Sequence, residues 1–550
     1  MDFAVDRARS PLGDGRRPLL ECARFGRLKL GRALLVGAPL AFLGVFFVWP
    51  VAAILSRGFV VHGSLDLSPI GDVLGDSSLR RVAGFTVEQA ALSTLATLAI
   101  ALPATAVLGR YRFRGRALVV AALTMPFVLP TVVVATAFRS LGIQGSLAAI
   151  VMAHTFFNVA VVVRIVGSSW RGLSRTEEDA ARVLGAGPIR TFAMVTLPAL
   201  RPAIVAAASI VFLFCFTSFG VILILGGPQF ATLETEIYRQ TAQLLDLRTA
   251  AALSVVQLAA VVSALVVAGT MTGRTRRLQR IEEPRGVPVR PRARVLLGAA
   301  TLPALLLVAI PSFDLLRRSF ADGAYGYTHL GTLPVGAAAT STDALLNSLR
   351  IAAVATLIAV VLGLALATAL TRPGRRDRFA RIAQSLVVLP LGISAVTVGF
   401  GFLIVFDAPP VNLRTSWWIV PIAHALVALP FVVRATVPVL RAIDPHQRDA
   451  AALLGAPPWR VWREIDLRAI RRAALVAAGF AFAISLGEFG ATLFIVRPET
   501  TTVPVAIYRF LSRPGATNLD QAMALAAILM AITGLVAFLG ERSARAESAF

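Results

Sequence analysis

Residues with chemical capacity are few and scattered. The 550-residue chain has five histidines, two cysteines and a single lysine, Lys29. Cys22 lies in a basic N-terminal stretch and Cys215 inside an apolar run, and neither has a CxxC neighbour, so disulfide and zinc readings both fail. His154 and His424 occupy matching places in "AHTFFNVAVVVR" and "AHALVALPFVVR" and read as helix-packing residues, so no metal site is assigned. The acid that stands out is Glu488 in "SLGEFGATLF", because an ionisable group within an apolar stretch is costly and often functional. Its chemistry would be to hold a cation or a proton, or to hydrogen-bond across a helix interface. No catalytic constellation accompanies it, so the chain reads as non-catalytic.

The elements that must position these residues are membrane helices. Hydrophobic residues make up 57% of the chain and charged residues 15%, and mean hydropathy is +0.75. Soluble domains carry about 25% charged residues. The formal charge of +24 falls in short clusters between apolar runs, without the aromatic interleaving that binds strands, so nucleic acid is not a partner and the lipid bilayer is.

Apolar runs long enough to cross a hydrocarbon core, about 17–25 residues, lie near 33–55, 90–109, 117–138, 145–166, 203–226 and 249–271. Six more lie near 295–316, 348–370, 382–407, 416–440, 473–496 and 520–540. The expectation is an all-α membrane protein of about twelve spans in two sets of six. Pro126, Pro130 and Pro390 mark helices that can be kinked or broken, which a bilayer tolerates when neighbours satisfy the freed backbone groups.

Basic residues set the orientation. Of the lysines and arginines, 41 fall in alternate segments that include both termini, 12 fall in the remaining loops, and Arg350 opens the eighth span. Cytoplasmic segments carry the excess, so both termini are expected inside. The N-terminal 1–32 then reads as a basic cytoplasmic segment, with the run from Ala33 an uncleaved anchor.

The sequence is also written twice. "DAARVLGAGPIRTFAMVTLP" at 179–198 returns as "DAAALLGAPPWRVWREIDLR" at 449–468. At the same offset of 270, His154 matches His424, Arg164 matches Arg434, the "SFG" ending at Gly220 matches the "EFG" ending at Gly490, and Ile237-Tyr238-Arg239 matches Ile507-Tyr508-Arg509. Two halves, 33–272 and 295–550, are joined by a basic, proline-rich linker at 273–294. Six spans each keep both copies in one orientation, related by a pseudo-twofold axis along the membrane normal.

The repeated passage predicts a helix, a sharp turn and a second helix on the inner face. Ser174 and Glu177 form a capping-box-like start, and Gly185 suits the left-handed position that ends a helix. Ala180 and Ala181 leave a small-sided face that another protein can approach closely.

This pattern resembles the EAA motif in the membrane subunits of binding-protein-dependent ABC importers. Asp179, Ala180, Ala181, Gly185, Val195, Leu197 and Pro198 fit it in the first copy; Asp449, Ala450, Ala451, Gly455, Ile465 and Leu467 fit it in the second, where Arg468 replaces the closing proline. Asp stands for the usual Glu in both. The resemblance implies the type I importer permease (MetI-like) fold in the cell membrane of a prokaryote. It further implies that each passage is a coupling helix, and that two copies of an ATPase subunit and an extracytoplasmic solute-binding protein are the partners. The chain itself would bind no cofactor, ATP and Mg being used by the ATPase. In agreement, no G-x-x-x-x-G-K-[ST] phosphate loop can be written around Lys29.

The segments "LGGPQFATLETEIYRQ" and "EFGATLFIVRPETTTVPVAIYRFL" resemble the two-halved permeases of the thiamine and iron(III) group, with the first closer to the thiamine branch. Thiamine is the expected solute; ferric iron, or another solute such as sulfate, molybdate or a polyamine, is the alternative. The spans after the coupling passages carry small and polar residues, Cys215, Thr217, Ser218, Ser485, Gly487 and Glu488, which pack helices or line a substrate path. An ion-gradient transporter centred on Glu488 is the rival, weakened by the acid's lack of an acidic partner and by the two coupling passages.

Overall fold

The computed structural model describes residues 35–272, 287–288, 293–371 and 394–545, except positions 62, 174, 228, 335, 408 and 410. The N-terminal segment with Cys22, most of the linker, the Ser174 cap and the first part of the ninth expected span lie outside the described residues.

Besides a short helix at Ser68–Gly75, the first half contains α1 (Leu35–Phe59), α2 (Ser77–Arg110), α3 (Arg116–Val128), α4 (Thr131–Ser140), α5 (Leu147–Arg171), α6 (Arg175–Val183), α7 (Pro188–Phe216), α8 (Gly220–Leu225), α9 (Leu233–Ala242) and α10 (Leu247–Thr272). The second half repeats them as α11 (Ala293–Ser319), α12 (Ser341–Thr371), α13 (Ala395–Val405), α14 (Ile419–Ala442), α15 (Pro445–Leu453), α16 (Pro458–Gly487), α17 (Gly490–Ile495), α18 (Val503–Leu511) and α19 (Ala516–Arg545). The counterpart of α3 falls outside the described residues. Among the described residues strands are limited to two-residue ladders, one of which pairs linker residues Val287–Pro288 with Tyr111–Arg112.

Among the described residues ten helices are long and apolar enough to cross a membrane, or eleven if α3 and α4 count as one. The expected single span at 117–138 is instead a pair bent by 105°. The break falls at Leu129-Pro130, where proline removes a donor and turns its predecessor away from helix. Two further expected spans end early. The run 203–226 stops at Phe216 and resumes as α8, and 473–496 stops at Gly487 and resumes as α17. Hydropathy reads straight through such breaks because both sides are apolar.

The repeat does not keep one register along its whole length. Ser77 and Ser341 open α2 and α12 at an offset of 264, as do Thr131 and Ala395 for α4 and α13, while Pro188 and Pro458 stand at 270. The shift is absorbed in one connection, 141–146 in the first half and the longer 406–418 in the second.

Packing follows lipid rules. Large side chains such as Leu95, Leu357, Phe313 and Phe538 stand exposed, whereas Ala355, Ala359, Ala425, Ala428, Ala477 and Ala481 fill the junction of α12, α14 and α16. Without a hydrophobic driving force between helices in hydrocarbon, close backbone approach supplies the cohesion.

The halves also exchange their first helices. α1 packs on α13 of the second half, with Phe46 and Trp49 against Phe406 at 5.5 and 5.8 Å between ring centres. A Cβ on Gly401 would meet the Pro50 ring at 2.7 Å, so glycine is required there. Reciprocally, α11 packs on α2 and α4, and Ser140 donates to Asp314 at 2.9 Å.

Candidate functional site

Each repeated passage forms an elbow below the bundle. The first short helix, α6 or α15, ends in the same hydrogen-bonded turn. Gly185 N–H donates to Arg182 O and Ala186 N–H to Ala181 O; Gly455 and Ala456 repeat this on Ala452 and Ala451, all at 2.9–3.0 Å. Gly185 and Gly455 have φ of +84° and +80°, the left-handed region that penalises a Cβ.

Beyond the turn the chain does not form a separate short segment, as the sequence reading expected. It runs unbroken into the membrane as α7, 29 residues, and α16, 30 residues. Both contain a wide π turn at matching places, Phe192–Thr196 and Trp462–Leu467. Since Arg468 stands where the first copy has Pro198, proline is not the cause of the turn.

Asp179, Ala180, Asp449 and Ala450 are exposed on the elbows, with Ala181 and Ala451 half-buried; Leu197 and Pro198 are exposed, and Ile465 and Leu467 half-buried. Beside them stand Val183 and Leu184 at 87% and 88% exposure, and Leu453 and Leu454 at 89% each. Apolar side chains this bare stand at matched positions in both copies.

The sequence reading missed what holds the elbows. Glu178, buried, accepts from Arg110 at 2.6 Å and from Thr196 Oγ1 at 2.7 Å, tying α6 to α2 and α7. In the second copy Arg448 Nε donates to buried Asp466 at 2.8 Å. Positions 448 and 466 are the repeat mates of 178 and 196, so the same clamp is kept with its polarity reversed. The visible signal was a charge inversion between register-matched residues.

Above the elbows, the breaks after α7 and α16 meet at the seam between the halves and border an open cavity of about 340 Å³. Thr217, Ser218, Gly487 and Glu488 border it. Cys215 and Ser485 do not: each sits within its half's helix packing, Cys215 Sγ accepting from Asn158 at 3.4 Å and Ser485 Oγ bonding His424 Nδ1 at 2.8 Å. Glu488 borders the cavity and also caps α17, accepting from Ala491 N–H at 2.8 Å, Thr492 N–H at 3.0 Å and the Thr492 hydroxyl. His424 Nε2 lies 3.3 Å away. The structural and cavity-lining roles of this acid therefore coincide.

Phe219 stacks on its own repeat mate Phe489, with ring centres 5.6 Å apart and planes at 25°. Each is met edge-on by a second pair of mates, Tyr238 at 5.6 Å and Tyr508 at 5.5 Å. Matched residues in mutual contact lie on the axis relating the halves, and both rings border the cavity there. The sequence registered Tyr238 and Tyr508 only as repeat markers.

Residues 101–272 and 359–542 match the family described as binding-protein-dependent transport system inner membrane component. The chain belongs to that family. The permease is 28% identical over 494 residues to the thiamine transport system permease protein ThiP of Brucella abortus (strain 2308), covering 85% of this chain and 88% of that one. It is 27% identical over 461 residues to ThiP of Escherichia coli K12, covering 79% and 84%. To the probable ABC transporter permease protein y4fN of Sinorhizobium fredii it is 26% identical over 556 residues, covering 92% and 94%. Two family domains in one multi-pass chain give the fused two-half permease of a type I importer.

Proposed function

We propose that the permease carries thiamine, delivered by an extracytoplasmic binding protein, and that two copies of a separate ATPase subunit seat against its elbows. The observation that carries the solute is the alignment with thiamine permeases along 85% of the chain. ATP, with Mg, is bound and hydrolysed by the ATPase. Its closure draws the elbows together, and because α7 and α16 run unbroken from elbow to cavity, the motion reaches the seam as rotation of rigid rods. Alternating access follows when ATP and loaded binding protein favour the outward-open state over the inward one.

Ferric iron is less well served by this cavity. Its bordering residues include one carboxylate, whose oxygens are already engaged by α17 and Thr492. A hard cation prefers several free oxygens. A diffuse organic cation needs only negative potential.

Reconstituted vesicles holding the permease, its ATPase and thiamine-loaded binding protein test the solute directly: ATP-dependent uptake is expected, and its absence overturns the assignment. Glu488→Gln is nearly isosteric and removes the charge together with one of the two acceptors that cap α17, so uptake is expected to fall by more than with Ser218→Ala, at equal insertion. Equal uptake would remove the electrostatic role.

The orientation has its own test. Cysteines at Leu184 and Leu454, both fully accessible, should react only from the cytoplasmic side, and cysteines at Leu65, Leu245 and Leu333 only from outside. A consistent reversal would invert the permease in the membrane.

A further inference from the structure

The two halves treat their matched histidines differently. His424 is saturated: Nδ1 bonds Ser485 Oγ at 2.8 Å, and Nε2 faces Thr492 Oγ1 at 2.7 Å and Glu488 at 3.3 Å. His154 has a single contact, Nδ1 to Ser93 Oγ of α2 at 3.1 Å, since the repeat mate of Ser485 is Cys215. The repeat mates of Thr492 and Glu488 are Ile222 and Ser218, so the partners of Nε2 have been removed. His154 is 2% exposed and borders the seam cavity. Among the described side chains bordering it, His154 Nε2 is the one buried polar atom without a hydrogen-bond partner.

A buried orphan of this kind is destabilising and calls for an explanation. The other half already contains the solution, a hydroxyl and a carboxylate, and the first half has given it up beside a cavity. We propose that the seam cavity is a transient binding site for a compact, flat, nitrogen-containing aromatic cation, with His154 Nε2 as its hydrogen-bonding atom. The identity of that cation as thiamine rests on the functional reading above; the site does not.

Three features define the class. The volume lies at the small end of ligand pockets, about 300–1,000 Å³. Phe219 and Phe489 offer the rings on which a planar heterocycle stacks, and Phe127 and Phe214, 6.0 Å apart, border the same space. The bordering residues include the carboxyl group of Glu488 and no lysine or arginine. Positive charge is therefore favoured. Because Ser93 Oγ can either donate or accept, His154 Nε2 can donate to a ring nitrogen or accept from an amino group.

The test uses the permease and ATPase together in lipid nanodiscs, without binding protein, with Ser218→Cys as reporter of cavity access by maleimide labelling. Thiamine and 3-benzylthiazolium, both flat cations, are expected to slow labelling, and choline, a cation without a ring, is not. His154→Leu should raise the half-protecting concentration about tenfold, the scale of one lost hydrogen bond, and His154→Gln should recover much of it. If His154→Leu fails to insert, the comparison of His154→Gln with His154→Met gives the same reading. Equal protection by choline, protection indifferent to His154, or no protection by any probe overturns the site. Histidine-dependent protection by 3-benzylthiazolium, combined with no vesicle uptake of thiamine, keeps the site and removes only the thiamine assignment.

Discussion

Replacing Gly185 or Gly455 by valine is expected to abolish binding-protein-stimulated ATP hydrolysis and uptake while leaving insertion intact. Nothing lies within 4 Å of a Cβ at either position. The effect is therefore backbone strain at positive φ, about 1–3 kcal/mol, and not a clash. An exposed elbow has little packing to oppose that strain, so the turn rearranges and Val183-Leu184 or Leu453-Leu454 move out of register with whatever they contact. Gly→Asn, which tolerates the left-handed region, should retain most activity. Wild-type coupling in both valine variants would remove the elbows from the transmission path.

Arg448→Met should be the most destabilising single change on the cytoplasmic side. It strands Asp466, whose side chain is 3% exposed, and breaking a buried pair from one end costs about 3–5 kcal/mol. Adding Asp466→Leu removes the stranded charge and should recover most of that loss, because an apolar pair of similar volume often serves as well. The measurement is the thermal midpoint of both variants in detergent, alongside stimulated ATPase activity. If the single and double variants melt together at the wild-type midpoint, the clamp does not hold the elbow.

What the sequence made legible were features with a strong local cause. The duplicated "DAA" passages, the glycines at the helix ends and the apolar runs that cross without a break correspond to elements found where expected. Pro130 marked the break between α3 and α4, but those after α7 and α16 did not announce themselves, since Thr217 and Glu488 are flanked by apolar residues on both sides and only tertiary packing decides where the rod ends. α2 begins at Ser77, well before the apolar run near 90, because Asp76 caps it and its first turns are polar. Glu178 with Thr196, and Arg448 with Asp466, showed in the sequence only as a polarity swap between register-matched positions, which a search for identical residues passes over. The distinct fates of His154 and His424 depend on what the residues at 222 and 492 offer, which a list of matched histidines does not contain.

The exchange of first helices sets a clock on biogenesis. α1 leaves the ribosome early, yet its partner α13 begins at Ala395, roughly 340 residues beyond Phe59, and synthesis at about 5–20 residues per second makes that an interval of tens of seconds. Through that interval Phe46 and Trp49 have only lipid or insertion machinery to face. The nascent first half is thus an incomplete object whose surface is finished by the second, and a premature stop anywhere before α13 releases a membrane fragment with an open aromatic flank for quality control to find.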